Sequence, residues 1–124
     1  MTFKKIEFAA IVKLAISMAA ADGVFDENEK KAIALELARF GVSESDMPLL
    51  FATAQAMEPA EMIVTVSNMG AEQKRYVASF LGTLMMIDGD IADAEMKLWQ
   101  LTSALCGLPT MSVADALNYM ANMS

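Results

Sequence analysis

The chain is 124 residues long, enough for one domain with a buried core. Apolar residues make up 56% of it, which excludes a disordered chain, and aromatics only 7%, with alanine and twelve methionines supplying the bulk. That mixture favours helices over strands. The formal net charge is -7, and histidine is absent. A binder of nucleic acid needs a basic face for phosphate, so that partner class is excluded. Without histidine, the ordinary general base and zinc or copper ligand are missing. Carboxylates, carbonyls and water remain, and they suit hard cations such as calcium, magnesium or manganese. The lone Cys106 has no internal disulfide partner. This fits a reducing compartment and a cytoplasmic location, with the thiol as core filling.

The first helix is expected over about 3–21, where Phe8, Ile11, Val12, Ala15, Met18 and Ala19 recur at helical spacing. Lys4-Lys5 before an apolar stretch loosely imitates a secretory leader, but Glu7 and Lys13 interrupt it, and the period is that of an amphipathic helix. Asp22-Gly23 ends this helix. A second begins near Asp26, with Ile33, Leu37 and Phe40 on its inner face, and stops at Gly41. Ser43 or Ser45 is the expected cap of a third helix, which carries Leu49, Leu50 and Phe51 and ends near Met57. Glu58-Pro59 breaks the chain before a connecting helix over about 59–69, so the strand-like run Ile63-Val64-Thr65-Val66 is read as helix. A fifth helix runs from about Ala71 to Ile87 and ends at Asp88-Gly89. The sixth, from about Ala92 to Cys106, is expected to turn Ile91, Leu98, Leu101 and Leu105 inward and to stop at Gly107. Ser112 caps a last helix to about Met120. No stretch is long and uncharged enough to span a membrane, which leaves only peripheral membrane association.

Asp22-Gly23 and Asp88-Gly89 lie 66 residues apart, as do Glu29 and Glu95, and Gly41 and Gly107. The constant offset predicts one unit used twice, over about 3–57 and 71–123, joined by the connecting helix. The expected architecture is therefore all-α: one domain over residues 1–124, about seven helices, two halves packed about a pseudo-two-fold axis.

Asp22 falls four residues after Met18, and Asp88 four after Leu84, so both carboxylates continue an apolar stripe. Both also sit at a helix C-terminus, where negative charge costs roughly 0.3–1 kcal/mol. From the glycine onward the spacing matches the second half of an EF-hand loop: an apolar residue (Phe25 or Ile91) two after the glycine, and a Glu (Glu29 or Glu95) six after it. The earlier ligand positions are Met18 and Ala20, or Leu84 and Met86, none of which has a side chain that can ligate. One turn is thus too poor for a tight site, whereas two together offer Asp22, Glu29, Asp88 and Glu95, enough for one or two hard cations. The competing reading is purely structural: Glu29 closes a capping box with Asp26, and the aspartates bond their own turns. It covers only one half, because Ala92 stands where Asp26 would recur.

The segments Ala19-Ala20-Ala21-Asp22-Gly23-Val24-Phe25-Asp26-Glu27-Asn28-Glu29 and Met85-Met86-Ile87-Asp88-Gly89-Asp90-Ile91-Ala92-Asp93-Ala94-Glu95 resemble the paired signature turns of the TerB-like, or tellurite-resistance, family. The resemblance covers nearly the whole chain. It implies a duplicated seven-helix domain and a divalent-metal site on the acidic residues of both turns, here Asp22, Glu29, Asp88 and Glu95. It further implies a role in chemical-stress or membrane-proximal complexes through protein association. No nucleophile motif, phosphate loop or organic-cofactor signature appears in the sequence, so the expected function is non-catalytic. The alternative is a metal-independent protein-interaction module whose acidic turns only cap helices.

Overall fold

In the computed structural model, residues 1–20, 27–87 and 93–123 are described. Among them are seven helices and no strand: α1 (Lys5–Ala19), α2 (Glu27–Arg39), α3 (Met47–Ala56), α4 (Pro59–Ser67), α5 (Ala71–Leu84), α6 (Asp93–Cys106) and α7 (Val113–Met123). The Ile63–Val66 run lies inside α4, as its place after a proline suggested. At the Asp22 and Asp88 turns, residues 21–26 and 88–92 fall outside the described residues.

Local chemistry sets the ends of these helices. At the start of α1, the Lys4 backbone N–H donates to Glu7 Oε1 at 2.7 Å. At the start of α5, the Gly70 N–H donates to Gln73 Oε1 at 2.8 Å. Each bond occupies the backbone donor of the residue that opens the helix. Helices α2 and α6 stop at glycines with left-handed backbone, Gly41 at φ 89° and Gly107 at φ 67°. Beyond them the Val42 N–H reaches the Leu37 carbonyl at 3.1 Å and the Leu108 N–H reaches the Ser103 carbonyl at 2.8 Å. Both are the six-to-one bond of a glycine-terminated helix. Ser112 caps α7, its Oγ accepting from the Asp115 N–H at 3.0 Å. Helix α3 starts later than its serines suggested. Ser43–Asp46 instead forms a turn, with the Asp46 N–H bonded to the Ser43 carbonyl. The starts of α1 and α5, of α2 and α6, and of α3 and α7 are each 66 residues apart.

Helix α1 is the hub. It buries Ala9, Ala10, Ile11, Val12, Leu14, Ala15, Met18 and Ala19, and it touches α2, α3, α4, α5 and α6. Its small residues let neighbours approach closely. Helix α5 is the second spine, buried from Tyr76 through Gly82 and again at Leu84, with α7 laid along it. At Gly82 the crossing is tight: a Cβ there would lie 2.8 Å from the Trp99 ring and 2.9 Å from Ala116. Phe3, Phe8, Phe40, Tyr76 and Phe80 make a ring cluster with centroids 5.1–6.0 Å apart.

Helix α6 corrects the sequence reading. Leu101 and Leu105, expected inward, are 56% and 55% exposed. The buried stripe is Glu95, Trp99, Thr102 and Cys106. Two stripes of this helix have helical period, and the one holding the largest ring is buried. The Trp99 indole N–H also finds a partner there, the Ala78 carbonyl at 3.1 Å.

Candidate functional site

The acidic side chains in the first turns of α2 and α6 are Glu27 and Glu29, and Asp93 and Glu95. Glu27 and Asp93 are exposed, whereas Glu29 and Glu95 are only 3% and 6% exposed. They are the two buried carboxylates among the described residues. Helical period explains why. Glu29, Ile33 and Leu37 follow at intervals of four along α2, and Glu95 and Trp99 do the same on α6. The rotation that sends Ile33 and Trp99 into the core sends the glutamates in with them.

Burying a carboxylate is expensive. The effective penalty is several kcal/mol per ion unless other groups engage it. Position in a helix's first turn returns typically about 0.3–1 kcal/mol. Macrodipole alone therefore does not account for two such burials, and both glutamates do engage other groups. The side chains that bond the backbone at the starts of α1, α5 and α7 are less deeply buried: Glu7 and Gln73 are half-buried and Asp115 is exposed. The Thr83 hydroxyl, in the last turn of α5 and five residues before Asp88, is a buried oxygen with no hydrogen-bond partner among the described residues.

Of the four sequence-predicted ligands, Glu29 and Glu95 are thus in the interior, and Asp22 and Asp88 lie outside the described residues. Among the described residues no three carboxylate or thiol groups gather as a metal cluster. The donors in question are all oxygen, which suits a hard divalent ion and gives no soft ligand. Cys106 is buried at the far end of α6, and burial pushes its thiol above its ordinary range, Lys74 opposing in part.

One part-buried polar contact has no signature in the sequence. The Tyr76 hydroxyl of α5 donates to Glu36 Oε2 of α2 at 2.6 Å. Glu36 Oε1 accepts from Arg39 Nη1 at 2.7 Å. Burial first, and the carboxylate partner second, hold the Tyr76 phenol well above its ordinary range. This pair clamps α2 to α5 two turns from Glu29. It is a fastening of the fold, buried at the Tyr76 end and partly exposed at the Glu36 end.

Among the described residues no helix is long and apolar enough to cross a membrane. The profile of the family described as tellurite resistance protein TerB matches residues 7–118. No curated protein matches the chain. Among solved structures, a crystal structure of a protein of unknown function from Porphyromonas gingivalis is similar, with a TM-score of 0.86 and 43% sequence identity. The match covers 98% of this chain and 92% of that one.

Proposed function

This chain belongs to the TerB family, and from that premise we propose that it is a non-catalytic helical scaffold or sensor whose two acidic turns together hold a divalent cation. The observation that carries the reading is the matched burial of Glu29 and Glu95 at the same place in two helices that start 66 residues apart. The paired helix starts, the paired glycine stops and the paired N-terminal glutamine or glutamate bonds support a single domain built from one unit used twice, with α4 as the connection.

Glu29 and Glu95 would supply two oxygen donors from the core side, with Asp22 and Asp88 supplying the others. A bound calcium, magnesium or manganese ion would neutralise carboxylates that otherwise repel one another, so binding and folding would reinforce each other. No organic cofactor is needed. The acidic surface disfavours nucleic acid, so the partners are proteins, in a cytoplasmic stress-response or membrane-proximal complex with at most peripheral contact to lipid. Melting with and without each metal tests this. Calcium, magnesium or manganese should raise the melting temperature, and Asp22→Asn combined with Asp88→Asn should abolish the rise. No shift at millimolar metal would overturn the reading.

A second reading, a metal-independent interaction module, is favoured by exposed apolar side chains. Leu35 on α2 and Leu101 on α6 occupy matched positions and both face solvent. Partners that stay bound in chelator would favour it.

A further inference from the structure

A hollow of about 160 Å³ lies between α1, α4 and α6. Part of its lining is deep in the core: Leu14 and Met18 of α1, Met62 of α4 and Cys106 of α6 are all buried. Leu101 and Leu105 of α6 also line it and are more than half exposed, so the hollow opens to solvent along α6. No charged side chain lines it. The larger surface hollows beside α3 and α7 differ, one carrying Lys5 and Asp46 and the other Arg75 and Asp115.

One group in this lining is costly as a plain wall. Thr102 is only 8% exposed, and its hydroxyl has no hydrogen-bond partner among the described residues. Thr53 and Thr65 show the ordinary outcome in a helix: each hydroxyl donates to the carbonyl four residues back, at 2.9 and 2.8 Å. Thr102 leaves that bond unmade and lines the hollow instead. A buried hydroxyl without a partner forfeits the bond it had to water. A polar atom of a molecule seated in the hollow would restore it.

Size, sulfur and the single hydroxyl together select the ligand. A dry apolar cavity of about 150 Å³ holds one benzene ring, and this hollow is of that size. Met18 and Met62 favour a ring over an alkyl chain, because thioether sulfur packs well on aromatic edges and the flexible side chain adapts its shape. With no charge in the lining, an ionised ligand would give up its hydration without compensation. We infer that this hollow binds a small neutral aromatic molecule of one ring, whose single polar substituent hydrogen-bonds to Thr102 Oγ1. The inference does not rest on a bound cation.

Phenol, titrated into the full chain carrying carbon-13 methionine methyls, is the test. It should move the Met18 and Met62 signals saturably at millimolar concentration and leave that of Met120, on α7, in place. Met18→Leu and Met62→Leu assign the two signals. Cyclohexanol, of similar size but without an aromatic edge, should bind more weakly by roughly two- to tenfold, and benzoate should not bind. Thr102→Val should weaken phenol by at least about fivefold, because the buried phenol group then has no partner, and should leave benzene unchanged. Thr102→Ser keeps the hydroxyl and should keep phenol binding, which separates the lost bond from a disturbed fold. The inference is overturned if Met18 and Met62 do not respond saturably to phenol, or if cyclohexanol or benzoate binds as tightly. It is also overturned if Thr102→Val weakens phenol and benzene alike, or weakens neither.

Discussion

Gly82→Ala reverses the usual sign of a helix substitution. In an open helix interior, alanine for glycine stabilises by about 0.8–1 kcal/mol, because glycine has more backbone freedom to lose. At Gly82 the new methyl would stand 2.8 Å from Trp99 Cζ2, 2.9 Å from the Ala116 Cβ and 3.2 Å from Trp99 Cη2. Neither neighbour is a flexible end. The Trp99 ring is tied by its N–H to the Ala78 carbonyl, and Ala116 is fully buried on α7. Overpacking of this kind costs about 1–3 kcal/mol. The propensity gain offsets only part of that, so the variant should be less stable, by up to about 2 kcal/mol. Urea unfolding followed by the fluorescence of the lone tryptophan should show a lower midpoint with an unchanged slope. An equal or higher midpoint would refute the packing described at the α5–α6–α7 crossing.

Tyr76→Phe removes a hydrogen bond to a mostly buried carboxylate and should cost about 1–2 kcal/mol in the same assay. It should also change the alkaline limb. The folded phenol keeps its proton above the ordinary value of 10.0 while the unfolded one releases it. The native state then holds more protons, so wild-type stability is intact below about pH 10 and falls as pH rises beyond it. The variant should show a shallower fall; an identical slope would contradict the buried pair. Gly41→Ala and Gly107→Ala each force a left-handed backbone on a residue with a Cβ, and each should lower stability by about 1–2 kcal/mol despite open space around Gly41. Cys106 should resist an aromatic disulfide reagent in the native protein and react only on unfolding, since it is buried and its thiol is held protonated. Rapid labelling of the folded chain would show that the α6 end is open.

How much of the structure is legible in the sequence follows from range. Gly41, Gly107, Pro59 and Ser112 act on their own few residues, so the helix boundaries they mark can be read directly. The 66-residue offset needs only self-comparison. The face of α6 is ambiguous in the sequence because Leu98, Leu101 and Leu105 form a valid stripe, and only packing against Ala78 and Gly82 decides for Trp99. Leu49 has the character of a core residue and is mostly exposed, because α3 meets the body chiefly through α1. The Tyr76–Glu36 bond joins residues 40 apart, beyond any local pattern. At the candidate site, spacing nominates Glu29 and Glu95, but their burial depends on which way α2 and α6 rotate, and that is a tertiary fact.

Calorimetric titration of calcium, magnesium and manganese into the chain tests the central claim most directly, with the wild type beside Glu29→Gln, Glu95→Gln and the double variant. The wild type should bind one or two ions saturably, either single variant should bind markedly more weakly, and the double variant should bind none, because both turns are needed together. Binding that survives in the double variant, or a wild type that binds no ion at millimolar metal, would contradict a cation site shared between the two turns.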